Sequence, residues 1–391
     1  MDFRNVTSII IPQGKVNKIL VGNVVYWKKT KKLPNWEENF FGLSNIRGDS
    51  YAQRMYYGSV VQGTNNWSNN ALLWVGYNSS TSNKLLYQAN DGLPSVSSNP
   101  IATLYDVYTV YQYYPVRNRT FSITATNSGK TYSGTSTRLY LIADTKENNA
   151  SSFALGGVFY YEYRYFPNRT NFNGFRMTSA GIKKECVCMT YLPLVQKHIV
   201  IQSNGTILSM GNTAINFSQE NTSVGINVNP SCIAWSPNAQ VFCVTGTTGT
   251  ATSPDGLIWT THTNADVPQC LVDLSFRDDL DCFFARGETD KLFYVSSYGI
   301  MWQTLNQTPI PLATVKAVDY NSDTGWYCAV GGTGQYVYFS NDLENWIPSK
   351  ITDRTITAQS VIYIPLTGTY VLMSNSENRY YTFTASALAN L

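Results

Sequence analysis

Residues 252–259 read TSPDGLIW, and weaker copies of this octet return at a nearly constant spacing. Ser253, Gly256 and Trp259 are matched by Ser296, Gly299 and Trp302 in SSYGIMW, 43 residues on. Ser340, Asp342 and Trp346 follow in SNDLENW, with Trp346 44 residues beyond Trp302. Upstream, SMGNTAINF ends at Phe217, 42 residues before Trp259. Two apolar runs precede each octet: IAW and VFCVTG, LVDLSF and DCFFARG, KAVDY and GWYCAVGG. The polar turns SPNAQ, RDDL and NSDT separate them. Their alternation predicts strands with one face buried and one polar. A period of roughly 40–50 residues built from four short strands is the signature of a β-propeller blade.

The clearest blades are expected at 185–231, 232–269, 270–315 and 316–359. A closing blade follows at 360–391, where SVIYIPLTGTYVLMSNSENRYYTFTAS supplies about three strands. A strand from the other end of the domain would complete that sheet and remove two exposed edges. The front half repeats less regularly. YQYYPVRNRTF begins at Tyr111 and YRYFPNRTNF at Tyr163, 52 residues apart, and ALLWVGYN (71–78), FSITAT (121–126) and GGVFYYEY (156–163) read as strands. The expected fold is all-β: a propeller of about seven four-stranded blades, six to eight being possible, over residues 51–391. A small β segment at 1–32 and a linker at 33–50 precede it.

Composition agrees with many short strands. The chain has 391 residues, 43% hydrophobic, 14% aromatic and only 14% charged, its polarity coming from Asn, Ser, Thr, Gln and Gly. A net charge of +3 is too small for a nucleic-acid partner. No apolar run reaches the length of a membrane-spanning helix, and MDFRNVTSIIIPQGKV lacks the pattern of a signal peptide. The Asn-x-Ser/Thr sequons, among them Asn118, Asn168 and Asn204, follow from an Asn- and Thr-rich composition.

The seven cysteines, Cys186, Cys188, Cys232, Cys243, Cys270, Cys282 and Cys328, are odd in number and lie in apolar runs. They read as buried thiols of a protein made in a reducing compartment. The sharper alternative is a metal site at Cys186 and Cys188, which a regular strand would place on one face. It lacks further ligands beyond the two histidines, His198 and His262, so no metal and no cofactor are expected.

In the octet, Pro254 fixes φ before the turn, and Ser253 and Asp255 can bond turn amides. Gly256 can take a positive φ without steric cost. Trp259, Trp302 and Trp346 are expected to be largely buried, each wedged between neighbouring blades. The pattern S/T-x-D-G-x-x-W resembles the Asp-box repeat of sialidase-type and sortilin-type propellers. Only TSPDGLIW matches fully, because Tyr298 stands at the Asp position of the next copy and Leu343 at the Gly position of the last. In that family the box is structural and lies away from the ligand face.

The first thirty residues form a different module. Ile9, Ile11, Val16, Ile19, Val24 and Tyr26 alternate with polar positions around PQGK and VGN, and Lys28, Lys29, Lys31 and Lys32 follow. This reads as a β-meander too short to hold a core, or else as the first strand pair of the propeller itself. Ile9, Ile11, Pro12, Gly14, Val16, Lys18, Ile19, Gly22, Val24, Val25 and Trp27 resemble short segments that open many bacteriophage tail and virion proteins. That resemblance implies an anchor docking on other tail proteins, with Ile9, Ile11, Val16, Ile19, Val24 and Trp27 as its contacts. The protein would then be a virion component assembled in the bacterial cytoplasm, its oligomeric state set by the particle.

A sialidase-like enzyme would need three convergent arginines, a Tyr nucleophile with its Glu, an Asp acid and an FRIP stretch. The nearest stretch is FRMT at 175–178, and Arg117, Arg119, Arg164, Arg169 and Arg176 read as loop arginines. Glu162 reads as structural, and the acids of DDLD (278–281) fall in a turn. No catalytic residues are assigned and the protein is not expected to be an enzyme, a glycan-cleaving activity being the minor alternative. Aromatic faces stack on sugar rings and amides bond hydroxyls, but the same residues dominate protein interfaces. Tyr111, Tyr113, Arg117, Tyr163, Tyr165 and Arg169 are therefore the candidate contacts for a host-surface glycan or a protein partner. A purely architectural role is the alternative.

Overall fold

The computed structural model describes residues 33–41, 186–192, 197–202, 204–211, 218–225, 228–263, 267–374 and 377–389. It also describes the backbone of the strands between residues 9 and 177. The chain is an all-β propeller. Blade A comprises Cys186–Leu192, Lys197–Gln202, Thr206–Gly211 and Ser218–Ser223. Blade B comprises Pro230–Ser236, Val241–Gly246, Thr250–Ser253 and Thr260–His262. Blade C comprises Leu271–Arg277, Cys282–Gly287, Phe293–Ser296 and Gln303–Thr304. Blade D comprises Ala317–Asn321, Trp326–Val330, Tyr336–Ser340 and Ile347–Lys350. Each is an antiparallel sheet whose strands pair in chain order. In the front half Phe121–Asn127 and Val158–Tyr161 fall where strands are expected, and Asn66–Asn78 extends the expected 71–78 strand toward the N-terminus.

The apolar runs that end in Gly are the second strands, and they are not half-buried. VFCVTG is buried from Phe242 on, and every residue of CFFARG and WYCAV is buried. A second strand is sandwiched between neighbouring blades, so both its faces need apolar side chains and alternation disappears. The cores accordingly lie between blades: Ile199, Ile201 and Ile207 of blade A cluster with Phe242, Val244 and Ala251 of blade B.

Closure differs from expectation in its boundaries. The last sheet, blade E, begins at Ile356–Ile364, not at 360, and continues through Thr369–Ser374 and Arg379–Thr384. Its last strand pairs antiparallel with Glu37–Phe40, Tyr381 facing Glu38. The stretch read as a linker therefore supplies the sealing strand, and Ile46–Gly48 pairs with the end of Asn66–Asn78. The residues just before the sealing strand stitch blade D to blade E. The Trp36 amide donates to Lys350 O at 3.1 Å, and Ser349 Oγ donates to Pro34 O at 3.3 Å. Trp36 is buried between Phe339 of blade D and Phe383 of blade E, with ring centroids 6.2 and 5.4 Å away. Glu38 receives Arg354 at 2.6 Å and also Arg379.

Residues 9–28 form two hairpins, Ile9–Ile11 with Gly14–Val16 and Lys18–Val21 with Val24–Lys28. Neither pairs with a described propeller strand. Ile9 faces Val16 in the first hairpin, and Ile19 faces Trp27 in the second.

The octets join third and fourth strands. Ser253 Oγ accepts from the Gly256 amide at 2.8 Å and donates to Asp255 Oδ1 at 3.0 Å. Asp255 Oδ1 also accepts from the amides of Leu257 and Ile258, each at 2.9 Å. Partial burial opposes ionisation of Asp255, but the Ile258 and Leu257 amides and the Ser253 hydroxyl outweigh it and hold the carboxyl below its usual range. Gly256 takes φ 74°. In blade D, Asp342 repeats the role, accepting from Glu344 and Asn345 at 2.9 and 2.7 Å. In blade C, Ser296 still holds the Gly299 amide at 2.8 Å, but Tyr298 points to solvent where the Asp would stand.

The three tryptophans are not equivalent. Trp302 is buried at 8% exposure, whereas Trp259 and Trp346 are only half-buried, against the expectation for all three. The indole N–H of Trp259 donates to Gly256 O at 3.0 Å and that of Trp346 to Leu343 O at 3.1 Å. In blade C the corresponding carbonyl, Gly299 O, accepts from Thr250 Oγ1 of blade B at 2.8 Å, and Trp302 Nε1 has no partner.

Trp36→Ala is expected to destabilise the propeller by about 3–5 kcal/mol, whereas removal of residues 1–32 should leave the melting temperature nearly unchanged; thermal denaturation of both variants checks this. Among the octets, Trp302→Ala should lower stability by more than Trp259→Ala or Trp346→Ala. Asp255→Ala should cost roughly 1–2 kcal/mol through lost turn hydrogen bonds, while Tyr298→Ala should be nearly silent, as urea titrations would show.

Candidate functional site

The tentative contacts Tyr111, Tyr113, Arg117, Tyr163, Tyr165 and Arg169 lie outside the described residues, as do Arg119, Arg164 and Glu162. Arg176 falls on the strand Phe175–Met177. The strand carrying Cys186 and Cys188 has a register shift between them. Cys188, Cys232, Cys243, Cys282 and Cys328 are buried thiols. His262 Nε2 meets Thr252 Oγ1 at 2.9 Å, and burial lowers its pKa. Among the described residues, no group of three His, Cys, Asp or Glu side chains is arranged to hold a metal ion. Of the acids of DDLD, Asp279 is held by Arg277 and Asp281 by Asn238 of blade B at 2.7 Å.

Sequence reasoning missed a cavity of about 370 Å³ among the first strands of blades C, D and E. First strands are the innermost, and those of blades A, B and C pack successively on one another, as do those of D and E. Those of C and D line opposite walls of the cavity. The geometry has a local cause. The first strand of blade B bulges at its start, between Pro230 and Cys232, but that of blade C bulges deeper, between Val272 and Ser275. The bulge holds Asp273 at φ 55°, a left-handed conformation that costs a non-glycine residue about 1–2 kcal/mol. The Asp273 carboxylate is turned onto Arg286, which reaches it at 2.7 Å. Bulges that re-aim a side chain are frequent beside functional sites.

Arg277 lies against one wall. It makes two hydrogen bonds to Asp279, at 2.7 and 2.6 Å, and another to the Tyr327 hydroxyl. Its guanidinium carbon sits 3.5 Å from the centroid of the Tyr320 ring. Burial disfavours its charge, but the bonds to Asp279 and Tyr327 outweigh that and hold it protonated. Ser275 presents an exposed hydroxyl residue, while the half-buried Phe276 ring packs edge-on against Phe283 in the B–C core.

Asp319, on the first strand of blade D, is the unusual member. Its Oδ2 accepts from the Tyr363 amide of blade E at 2.6 Å. Burial pushes its carboxyl up to about 7, the amides of Tyr363 and Tyr320 pulling the other way. The strand's inner edge faces the cavity while the carboxyl is enclosed between blades, so the residue as a whole is only partly buried. No signal marked Asp319 in advance: VDY reads like any strand, and only the neighbouring blade desolvates the acid.

No protein-family model and no curated protein matches the chain. Solved structures do. A catalytically inactive virginiamycin B lyase from Staphylococcus aureus, crystallised with quinupristin, superposes with a TM-score of 0.52 at 9% identity, covering 90% of this chain and 99% of that one. A streptogramin B lyase gives 0.51 at 9% identity with the same coverage. At such identity the likeness is one of fold, and it agrees with the propeller described above. Among the described residues, no helix is long and apolar enough to cross a membrane.

Asp319→Asn keeps an acceptor for the Tyr363 amide and removes the titration. A carboxyl raised from its ordinary value of 3.8 to about 7 weakens the fold as pH climbs between the two. The melting temperatures of wild type and Asp319→Asn should thus coincide near pH 4. The variant should gain progressively up to pH 7–8, then hold a constant lead. Parallel melting curves at all pH values would refute the assignment.

Proposed function

We propose that this protein is a bacteriophage virion component, of the tail, tail fibre or baseplate. In this reading residues 1–32 dock onto other tail proteins, and the propeller is displayed outward to bind a host-surface glycan. The observation that supports it is strand pairing: the propeller is sealed by its own Glu37–Phe40, and among the described strands the hairpins at 9–28 pair only within themselves. A segment that closure does not need is available for docking. The virion assignment itself rests on the resemblance of Ile9–Trp27 to tail-protein openings. Glycan recognition is supported by the aromatic and amide-rich composition and by a cavity of ligand size at the blade centres. Nothing in the described geometry favours cleavage: Asp279 and Asp273 are engaged by arginines, and Asp319 sits on backbone amides.

Two measurements test the reading. Particles assembled with the 1–32 deletion should lack the protein while the purified variant stays folded; normal copy number in the particle would sink the docking role. Purified full-length protein should block adsorption of particles to host cells, and failure to block would leave an architectural role.

A further inference from the structure

The end of the propeller that carries the octets exposes apolar side chains. In an antiparallel blade whose strands pair in chain order, the turn between the first and second strands and the turn between the third and fourth lie at the same end. In blades B to E these turns are 237–240, 254–259, 278–281, 297–302, 322–325, 341–346 and 365–368. They hold Ile258, Leu280, Tyr298, Ile300, Met301 and Leu366, six of the nine large hydrophobic side chains exposed among the described residues. Apolar surface gathered in this way marks an interaction site. The same turns contain seven acidic residues, from Asp255 to Glu344, and no Lys, Arg or His. Among the described residues only Asp279 of the seven has an ion pair, with Arg277. The opposite end is mixed, Glu288, Asp290, Asp353 and Glu377 standing beside Lys291, Lys316 and Arg354.

Residues 1–32 have the complementary chemistry. They hold Arg4 and six lysines against one acid, Asp2, although the whole chain has a net charge of only +3. Their register sets Ile9 opposite Val16 and Ile19 opposite Trp27. Two-stranded hairpins are marginal alone in water and gain from an apolar surface to lie on. We propose that residues 1–32 of one copy dock on the octet end of a neighbouring copy, their apolar positions against Ile258, Tyr298, Ile300 and Met301 and their lysines against the acids of the turns. The inference rests on the docking role proposed for this segment and names its partner. Apolar burial supplies the affinity, and opposite charge sets orientation and encounter rate. The tether favours a neighbour over the same copy. Leu33 is buried in the core between blades D and E, and the five steps from it back to Lys28 span at most about 17 Å. At a sheet spacing of about 10 Å, blade B lies roughly 25 Å from that core, and further at the rim where its octet sits. Trp27 of the same copy therefore stops short of Ile258. A contact between two different surfaces is head-to-tail, so it closes into a ring or continues from copy to copy.

The test is analytical ultracentrifugation of the full-length protein and two full-length variants. Ile258→Lys with Met301→Lys, both at exposed positions, spoils the face and leaves the segment. Lys28→Glu, Lys29→Glu, Lys31→Glu and Lys32→Glu together spoil the segment and leave the face. Both variants should keep the wild-type melting temperature. Wild type should sediment as species larger than the 43.7 kDa monomer at about 100 µM and low salt. Its association should weaken at least about tenfold between about 0.05 and 0.5 M salt. Each variant alone should be monomeric. Mixed, the two should form a 1:1 complex and nothing larger, because one working face and one working segment remain. A wild type that stays monomeric, association that survives in either variant, or no complex on mixing overturns the proposal. Docking of the segment on its own propeller would give that monomer. Entry into particles is scored separately. If the protein associates through this face but the four-lysine variant enters particles at normal copy number, the virion docking role alone falls. If entry needs the lysines but the protein is monomeric in solution, this inference alone falls.

Discussion

Everything in this propeller depends on the burial of its second strands. A sheet whose central strand is apolar on both faces cannot exist alone in water; it needs a neighbour on each side. Phe242, Phe283, Cys328 and Leu372 are fully buried because each blade is covered by the next. That demand passes from blade to blade as far as blade E, which has three described strands of its own from Ile356 on. The demand is met by Glu37–Phe40, with Trp36 and Phe41 buried on either side. Four residues of strand would be a weak seam alone. Here the seam is reinforced by a large apolar side chain between blades D and E and by Glu38 between two arginines. The exposed ion pairs add specificity of register more than stability.

The octet is the second device, and its degeneracy shows which part of it matters. Serine is kept in all three copies, buried and holding the turn in each. The Asp can go, as at Tyr298, when the loop leans on its neighbour instead: Thr250 of blade B binds Gly299 O, and Trp302 sinks into the B–C core. The Gly can go as well. Leu343 adopts φ 63°, which costs about 1–2 kcal/mol for a residue with a side chain. Its side chain is buried with Phe284, Phe293 and Tyr327, a gain of about 1.5–3 kcal/mol. The two terms are close enough that burial can replace conformational ease, which a pattern match on glycine would never anticipate.

Much of the fold was legible in the sequence because the repeat is local. The 43- and 44-residue spacings gave the blade order, and the apolar runs gave the strands. Two errors share one origin. VFCVTG and CFFARG were read as half-buried, and 33–50 as a linker, because single-strand patterns do not reveal what lies across a sheet face or at a sheet edge. EENF looks like a polar loop, yet Asn39 and Glu38 are placed as an edge strand by Thr382 and two distant arginines. The equivalence expected of the three tryptophans failed for a related reason: in blade C, Thr250 of the preceding blade takes the Gly299 carbonyl that would otherwise accept from the Trp302 indole.

The cavity was invisible for the opposite reason: it lies where the repeat is broken. A propeller whose blades were identical would have a uniform central channel, with no position better suited than another to hold a ligand. Blade C departs from blade B by moving its bulge into the strand, so that Asp273 turns onto Arg286 and Arg277 onto Tyr320. Blade D departs by having no bulge in its first strand, which keeps Val318 and Asp319 in regular register, with Asp319 against blade E. The structural cost of each departure is real: a left-handed Asp in one blade and a desolvated carboxyl in the next. Neither is needed to close the ring, since blades A and B pack without them. Strain that the fold does not require clusters at sites of function, and the left-handed Asp273 falls on the cavity wall.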